Sequence, residues 1–368
     1  MRVPLVDLAA QGAEIADDIA PALRESLLKG AFIGGPAVAS FEKAYATYAG
    51  VQHCIGVANG TDALELALRA AGVDRGDEVI LPANTFIATA EAVSRIGALP
   101  VLVDVDPDYL LIDPAQVRAA LTEQTRAIVP VHLFGQTAPM DDITQLATEA
   151  GVAVVEDAAQ AQGATRDGRP AGTWGVAAGT SFYPGKNLGA AGDAGAVLTD
   201  DGDVADRVRV TAAHGSPQKY VHDVVGVNSR LDAIQALVLT AKLKRLDDWN
   251  NARREAAARY DKLLGTLPTV RIPSRHPDNV DVWHLYVVQV PDRDRVLADL
   301  NAAGIGAAIH YPYPVHRTRA YAALGHRIGD FPVAEAAAQR ILSLPLYPHI
   351  APEQQTFVVD VLGRSLAQ

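Results

Sequence analysis

The sequence predicts an α/β protein whose large domain is built on a mostly parallel sheet and whose smaller C-terminal domain is α+β. From about residue 54 to residue 199, short apolar runs alternate with helical patterns, as in parallel strands covered by helices on both faces. After residue 203 the alternation stops, and a chain of 368 residues is longer than one core usually serves. We therefore expect a large domain over residues 1–245 and a small domain over residues 246–368.

The elements of the large domain follow from periodicity and from the glycines and prolines between the periodic segments. Two helices are expected first, at about residues 12–29 and 38–48, and Gly30 ends the first of them. Buried strands are expected at residues 54–58, 78–82, 100–104, 126–132, 152–157, 177–182 and 194–199, with helices at 86–96 and 141–150 among the connections. Ligands of such sheets lie beyond the carboxyl ends of the strands.

The second part of the chain is predicted to be mainly helical. Leu231, Ile234, Val238 and Ala241 follow helical spacing, and the pattern continues to about residue 264. We expect one long helix here that bridges the two domains. In the small domain the sequence predicts strands near residues 283–290 and 307–310 and helices near 293–303, 332–342 and 352–362.

Composition and charge exclude several functions. A formal net charge of −11 repels nucleic acid and anionic membranes, so an anionic ligand needs a local group of cations. No apolar run approaches the length of a membrane span, and the first residues lack the pattern of a signal peptide. The single cysteine, Cys54, cannot form an internal disulfide. We expect a cytoplasmic protein without a metal site.

A single lysine, Lys186, stands in the otherwise uncharged segment 181–190. Glycines and a proline on either side stop regular structure and hold the lysine on a loop. In a partly desolvated site a lysine loses its proton more readily, and the free amine is the form that condenses with a carbonyl. Lys186 is therefore a Schiff-base candidate, and a lysine that caps a turn is the alternative.

Two other strand ends carry polar groups. Residues 59–62, Asn-Gly-Thr-Asp, join the strand at 54–58 to a helical pattern, where backbone amides and the helix dipole favour a phosphate. A plain N-cap by Thr61 or Asp62 is the alternative there. The strand at 152–157 ends in Glu156 and Asp157, which its period of two places on opposite faces. One of these acids is expected to point at a site or a partner, with a helix cap as the alternative.

Five short motifs occur in order along the chain. They are Asn-Gly-Thr-Asp-Ala-Leu from residue 59, Pro-Ala-Asn-Thr-Phe from 82, Glu-Asp-Ala-Ala-Gln from 156, Ser-Phe-Tyr-Pro-Gly-Lys from 181 and Asn-Ser-Arg-Leu-Asp from 228. Together they closely resemble the DegT/DnrJ/EryC1/StrS family of pyridoxal-phosphate-dependent sugar aminotransferases, and the similarity extends to residues 310–312 and 341–345. The resemblance implies fold type I, the aspartate-aminotransferase-like fold with a seven-stranded sheet. It also implies pyridoxal 5′-phosphate (PLP), alternating with its pyridoxamine form, as cofactor and a homodimer with shared active sites.

The resemblance further implies the two catalytic residues. Lys186 would bind the cofactor as a Schiff base and move the proton between the cofactor and the substrate carbon. Asp157 would pair with the pyridinium nitrogen, where a carboxylate keeps the ring protonated and an effective electron sink. Gln162 stands where many relatives have histidine, and we expect it to support the site from behind. Other relatives replace the lysine with histidine and dehydrate a deoxysugar, and Lys186 argues against that branch.

Further contacts to the cofactor are implied by the same motifs. Gly60, Thr61 and Ser181 would hold the phosphate, and Asn228 would reach it from the neighbouring subunit. Phe86 would stack on the ring, and Gln160 would lie beside the hydroxyl edge of the ring. Substrate contacts are expected from basic and aromatic residues, because a diphosphate and a carboxylate both need cations nearby. These candidates are Tyr183, Lys219, Tyr220, Arg230, His310, Tyr311 and His316.

The implied reaction is transfer of an amino group from L-glutamate to a ketone on a nucleotide-linked deoxysugar, in amino-deoxysugar biosynthesis. The loop at residues 219–222 and the run at 310–316 are most similar to enzymes that aminate 3-keto-6-deoxyhexoses carried on dTDP. A 4-keto sugar nucleotide and a keto-inositol are the alternative substrates. A non-catalytic regulatory protein is an alternative of another class, but such a relative should have lost Lys186 or Asp157, and both are present.

Overall fold

The computed structural model describes residues 1–367. The strands of the first 200 residues are β1 (His53–Val57), β2 (Glu78–Pro82), β3 (Leu99–Val103), β4 (Thr125–Ile128), β5 (Ala153–Asp157), β6 (Thr165–Arg166), β7 (Arg169–Pro170), β8 (Ala177–Ser181) and β9 (Gly195–Thr199). A seven-stranded sheet in the order β1-β9-β8-β5-β4-β2-β3 forms the centre of the structure, and in it β9 pairs antiparallel with both of its neighbours while the other pairs are parallel. The expected α/β class with a mostly parallel sheet is confirmed.

Helices cover both faces of this sheet. The helices of this part of the chain are α1 (Leu8–Ala13), α2 (Ala16–Lys29), α3 (Gly35–Ala49), α4 (Gly60–Ala70), α5 (Ile87–Arg95), α6 (Pro114–Ala120), α7 (Met140–Ala150), α8 (Gly202–Ala212) and α9 (Ala233–Leu243). Successive residues of β5 show the two faces, because Val155 packs in the cluster that includes α4 and α5, whereas Val154 packs with α7 on the other face.

A second core lies around a two-stranded sheet in the C-terminal part. The strand β11 (Tyr286–Gln289) pairs antiparallel with β12 (Ile341–Leu344), and the short β10 (Asn279–Val280) pairs with β6. The helices here are α10 (Leu246–Leu264), α11 (Arg293–Ala302), α12 (Pro332–Arg340) and α13 (Pro352–Leu366). Val3 from the chain start packs in this second core, whereas Val315 and Phe331 pack in the core of the large sheet. The division at residue 245 stays a prediction.

Two helices that were expected to be continuous are divided in the structure. The opening helix is two helices, and the side chain of Asp7 begins α1 by accepting a hydrogen bond from the Ala10 amide at 3.0 Å. The long helix from residue 231 to 264 is also two, α9 and α10, which separate at Lys244 and Arg245. On either side of this break, α9 packs on α3 and α10 packs on α13, in different cores.

Residues 307–310 are not a strand, because Ala308 alone forms a bridge, to Ser343. The helix expected to reach residue 342 ends at Arg340, since Ile341 begins β12. Among residues 1–367, no helix is long and apolar enough to cross a bilayer. Over the same residues, no group of three or more side chains of the metal-binding types comes together.

Candidate active site

A cavity of ≈ 420 Å³ opens beyond the carboxyl ends of β2, β5 and β8, where ligands of such sheets are expected to lie. The N-terminal Leu5 and Val6 and the C-terminal His310 and Tyr311 also contribute to its wall. Of the expected site residues, the wall contains Gly60, Thr61, Phe86, Asp157, Gln160, Ser181, Tyr183, Lys186, His310 and Tyr311. The folded chain therefore brings together residues from four of the five motifs and from the segment at 310–312.

Lys186 lies on a tight loop that follows β8. Its amide donates a hydrogen bond to the Tyr183 carbonyl at 2.8 Å, and the Ala190 amide donates to the Phe182 carbonyl at 2.7 Å. The side chain is partly exposed to the cavity. Burial lowers the pKa of the Lys186 amine to about 8, although the carboxylate of Asp157 opposes the shift. The loop thus presents an amine that loses its proton more readily than an ordinary lysine.

This pKa leads to a prediction about the cofactor-free enzyme. At pH 7 about a tenth of the Lys186 side chains should be neutral, against fewer than about one in a thousand for an ordinary lysine. Because only the neutral amine attacks, acetylation of Lys186 by a limiting amount of acetic anhydride should rise with pH and reach half its maximum near pH 8. Mass spectrometry of the Lys186 peptide measures this rate, with Nα-acetyl-lysine in the same solution as reference. A midpoint equal to that of the reference would contradict the desolvated site.

Asp157 ends β5 and points into the cavity. Its carboxylate accepts hydrogen bonds from the Thr89 hydroxyl at 2.7 Å and from the Ala159 amide at 3.2 Å. Because Thr89 donates to the carboxylate, its own oxygen accepts from Thr85, which lies 2.8 Å away. Burial raises the pKa of Asp157, and the hydrogen bonds together with Lys186 oppose that shift. A cation bound in the cavity would add to these opposing effects and hold Asp157 ionised.

Glu156 takes the other face of the strand, as the period of two predicts. It is fully buried and accepts hydrogen bonds from three backbone amides between residues 172 and 175, at 2.7 to 2.8 Å. His132 adds a fourth, from Nε2 at 2.8 Å, because its Nδ1 accepts from the Ala138 amide and leaves the proton on Nε2. Glu156 therefore fixes the loops around β5, and Asp157 is the acid available to a ligand.

The first turn of α4 forms a cradle for an anion. The side chain of Asn59 caps the helix by accepting from the Asp62 amide at 2.8 Å, so the cap is neither Thr61 nor Asp62. The amides of Gly60 and Thr61 belong to the first turn, where a helix offers no internal acceptor. A Cβ on Gly60 would lie 2.6 Å from the Cβ of Ser181, so only glycine permits this close approach.

Gln162 supports this cradle from behind. It is buried, and its Nε2 donates hydrogen bonds to the Ser181 carbonyl at 2.8 Å and to the Thr180 hydroxyl at 3.0 Å. The Ala159 carbonyl lies 3.2 Å from the same Nε2 and shares one of its two N–H groups. A glutamine thus ties the end of β8 to the segment after Asp157, the supporting position expected for it.

Aromatic rings form one side of the cavity. Phe86 lies against Tyr311 with ring centroids 5.2 Å apart, and half of its surface is exposed. Gln160 joins these rings to the sheet, because its Nε2 donates to the Tyr311 hydroxyl at 3.1 Å and its Oε1 accepts from the Phe134 amide at 2.6 Å. The exposed surface of Phe86 is available for stacking of a planar ligand in the cavity that Lys186 also lines.

Asn228, expected to reach the partner's cofactor, and three of the expected substrate contacts lie outside the cavity of their own chain. Lys219, Tyr220, Asn228 and Arg230 are all exposed, and the Lys219 ammonium stands 5.1 Å from the centre of the Tyr220 ring. Ser229 fixes this segment next to α4, since its hydroxyl donates to Asp62 at 2.7 Å and accepts from Ala58 at 3.1 Å.

The structure does not place His316 in the cavity wall, where a substrate contact was expected. Its side chain is fully buried, its Nε2 lies 3.0 Å from Glu335, and its ring packs edge-on against Phe331 at 4.7 Å. This arrangement holds the turn before α12 and gives the imidazole no access to the cavity. His310, in contrast, lies in the cavity wall, and burial lowers its pKa to about 4 with a further contribution from the charge of Lys186.

The sequence interpretation missed several wall residues. Asp193 follows the lysine loop in the run Gly-Asp-Ala-Gly, and its place beside Lys186 in the motif was a usable signal. His284 interrupts the apolar run 282–288, Val-Trp-His-Leu-Tyr-Val-Val, and a buried polar ring there was a second signal. Leu5 and Val6 gave none, because only tertiary packing brings the chain start to the cavity.

These residues fit pyridoxal phosphate. The phosphate of the cofactor suits the free amides in the first turn of α4, where Gly60 has no side chain to block its approach. Lys186 supplies the amine that reacts with the aldehyde of the cofactor. Asp157 supplies an anion for a pyridinium nitrogen, and the exposed face of Phe86 suits the ring. A phosphate cradle, an amine, an acid and an aromatic ring are the donor set that this cofactor requires.

Comparison with known proteins agrees. The model of the DegT/DnrJ/EryC1/StrS aminotransferase family matches residues 13–363. The chain is 48% identical over 98% of its length to the erythromycin biosynthesis sensory transduction protein EryC1 of Saccharopolyspora erythraea, covering 99% of that protein. It is 45% identical to a dTDP-3-amino-3,4,6-trideoxy-alpha-D-glucose transaminase of Streptomyces venezuelae, with 98% of this chain and 95% of that protein covered.

A solved structure shows the same fold. The crystal structure of S. venezuelae DesV, in complex with a ketimine intermediate, has a TM-score of 0.97 and 44% identity, with 100% of this chain and 99% of that chain covered. The agreement extends over both cores and the segments that form the cavity. The chain therefore belongs to the DegT/DnrJ/EryC1/StrS aminotransferase family.

Proposed function

We propose that this protein transfers an amino group from L-glutamate to the ketone of a dTDP-linked 3-keto-6-deoxyhexose, with PLP as cofactor. The observation that carries the proposal is the joint placement of Lys186 and Asp157 in one cavity with the Gly60 cradle. When bound, PLP supplies an electron sink that stabilises negative charge on the carbon losing or gaining a proton.

Residues of the chain have three separate roles around this cofactor, which are proton transfer, stabilisation of the ring charge and phosphate binding. The neutral amine of Lys186, which its lowered pKa favours, accepts the proton from the amino-bearing carbon and returns it on the other side of the transfer. Asp157, oriented by Thr89, keeps a protonated ring nitrogen charged. The cradle at Gly60 and Ser181 holds the phosphate, so that the reacting atoms stay within reach of Lys186.

The choice of substrate rests on the relatives and on the open cavity. One relative is named for a dTDP-linked 3-amino-trideoxyglucose, and another for a 3-amino-3,6-dideoxygalactose on dTDP. The test is a panel of dTDP- and UDP-linked 3-keto and 4-keto sugars and a keto-inositol, each assayed with glutamate. We expect the dTDP-linked 3-keto sugars to give the highest kcat/KM. A preference for a 4-keto sugar or for a UDP-linked sugar would change the proposed substrate but not the proposed reaction.

A regulatory role is the second candidate, because the relative EryC1 is named a sensory transduction protein. A purely regulatory chain has no need of a desolvated lysine beside a buried carboxylate. Both groups are present here with their supporting hydrogen bonds. Catalysis therefore remains the function that the site supports best.

The active enzyme is proposed to be a cytoplasmic homodimer whose sites are shared between subunits. Apolar side chains are exposed near the segment expected to reach the partner, with Tyr220 82% and Val225 96% exposed. Leu27 and Leu28 on α2 are also exposed. Apolar surface of this kind is typical of a protein interface, and Arg230 forms no ion pair within residues 1–367.

Shared sites predict complementation between two inactive variants. Lys186→Ala and Arg230→Ala should each be inactive as homodimers. In an equal mixture of exchanged subunits, half of the dimers should be heterodimers with one intact site, so activity should return to about a quarter of the wild-type value. The measurement is transamination by a mixture whose heterodimer content is verified by differently tagged subunits.

The control is a mixture of Lys186→Ala subunits with Asp157→Asn subunits. Lys186 and Asp157 of one chain line the same cavity, so in the mixed dimer each site carries one of the two substitutions. This mixture should therefore recover no activity. If verified heterodimers of the first pair stay inactive, Arg230 acts within its own chain or only in folding.

A further inference from the structure

His284 is a residue of the cavity wall to which the proposed function gives no role. It is 8% exposed and lies in the same wall as Lys186 and His310. It follows Trp283 in the segment 282–285, which crosses from the second core toward the large sheet. A polar ring at this place needs a reason, because an apolar side chain would pack there without loss.

Backbone hydrogen bonds hold the chain on both sides of His284. The Val282 amide donates to the Gly135 carbonyl at 3.0 Å, and the Leu285 amide donates to the Phe134 carbonyl at 3.2 Å. Gly135 has a φ of +99°, and a Cβ at this position would lie 2.7 Å from the backbone nitrogen of His284, so the close approach of the two segments requires glycine. The imidazole is therefore presented to the cavity from a fixed backbone.

The same segment also fixes the lysine loop. Asn187, the residue after Lys186, is buried and donates from Nδ2 to the Val282 carbonyl at 2.8 Å. It also donates to Oδ1 of Asn250 at 2.8 Å. The positions of Lys186 and His284 are thus set by one shared support, and a molecule that reacts at Lys186 comes close to His284.

The two ring nitrogens of His284 have different surroundings. Nδ1 is buried and has no hydrogen-bond partner among residues 1–367, whereas Nε2 is not buried and faces the cavity. Burial lowers the pKa of this imidazole well below its usual value, and the charges of Lys186, Arg253 and His310 act in the same direction. A proton on Nδ1 would be a buried donor without an acceptor, so the neutral ring carries its proton on Nε2.

We propose that His284 recognises the sugar, and that its Nε2–H donates a hydrogen bond to an oxygen of the hexose beside the carbon that exchanges its amino group. The inference rests on the proposed function, and it identifies the hexose as the part of that substrate which this wall of the cavity binds. A neutral donor suits an uncharged keto or hydroxyl oxygen, whereas the carboxylates of glutamate are better matched by guanidinium groups.

The test compares the two halves of the reaction in His284→Leu. Starting from the PLP form, single turnovers with a dTDP-3-amino-3,6-dideoxyhexose and with glutamate are followed by cofactor absorbance. Calorimetry measures the affinity for dTDP-6-deoxyglucose, which has no amino group to exchange. We expect the rate of the sugar half-reaction and the affinity for the sugar nucleotide to fall roughly 5- to 100-fold, because the site loses the Nε2–H donor. The rate of the glutamate half-reaction should stay within about threefold of the wild-type rate.

Two further variants separate recognition from folding. His284→Gln places an amide near the position of Nε2 and should restore most of the sugar affinity, whereas His284→Asn is too short and should not. His349→Gln, on the surface beside Glu14, is the control and should match the wild type. If His284→Leu does not fold, the comparison of glutamine with asparagine decides.

Equal losses in both half-reactions, a loss with glutamate alone, or no loss at all would overturn the role of His284. A different outcome identifies failure of the proposed function itself. That outcome is a wild-type enzyme that binds dTDP-6-deoxyglucose but exchanges no amino group with either donor. In that case the sugar affinities of the variants would still show whether His284 contacts the hexose.

Discussion

Lys186→Ala should abolish transamination, with a loss of at least about 10⁴-fold in kcat, and should leave cofactor binding through the phosphate cradle in place. The loss is large because one amine serves both as the point of covalent attachment and as the proton carrier. Both duties depend on the lowered pKa that burial gives this side chain. The measurement is a coupled transamination assay, together with the amount of cofactor that stays with the protein after gel filtration.

Two variants act as controls for this result. Lys186→Arg keeps a positive charge on the loop but has no amine that condenses with a carbonyl, so it should be as inactive as the alanine variant. Lys262→Ala, exposed on α10, should retain wild-type activity. Substantial turnover by purified Lys186→Ala would mean that another residue performs the chemistry.

Asp157→Asn should keep the fold and lose roughly 10²-fold or more in rate. The amide is of the same size, and the Thr89 hydroxyl can rotate to accept from it, so the chain of hydrogen bonds through Thr85 survives. The negative charge is lost, however, and without it a ring nitrogen beside residue 157 is no longer held protonated. Stopped-flow rates and the cofactor absorbance spectrum measure both effects.

The matched control is Asp142→Asn, since Asp142 is exposed in the first turn of α7 and is not part of the cavity wall. It should change neither the rate nor the spectrum. An unchanged rate and an unchanged spectrum in Asp157→Asn would require another group to hold the nitrogen.

The strands that position the site were predictable because each is a short buried run with a clear end. The expected bounds of β2 agree with the structure, and those of β5 and β8 differ by one residue. Asp157 and Lys186 could be selected because an acid after a buried strand and a lone lysine among glycines are unusual for structural reasons alone. The resemblance to a family then gave these residues their roles.

Other features had no local signal. Nothing at Lys244 and Arg245 resembles a helix stop, because neither glycine nor proline is present, and only packing on two cores separates α9 from α10. His310 and His316 lie six positions apart in one motif, yet one lines the cavity and the other is paired with Glu335. His284 is a partial exception, because its polarity within an apolar run is visible in the sequence but the cavity beside it is not.

The most direct test of the central claim is the absorbance of PLP bound to the wild-type protein. Glutamate added alone should abolish the absorbance band of the bound aldehyde form, because the amino group passes to the cofactor and stays there. Addition of a dTDP-linked 3-keto-6-deoxyhexose should then restore the band and yield one equivalent of amino sugar per site. A band that glutamate leaves unchanged would contradict the assignment of this chain as a glutamate-dependent aminotransferase.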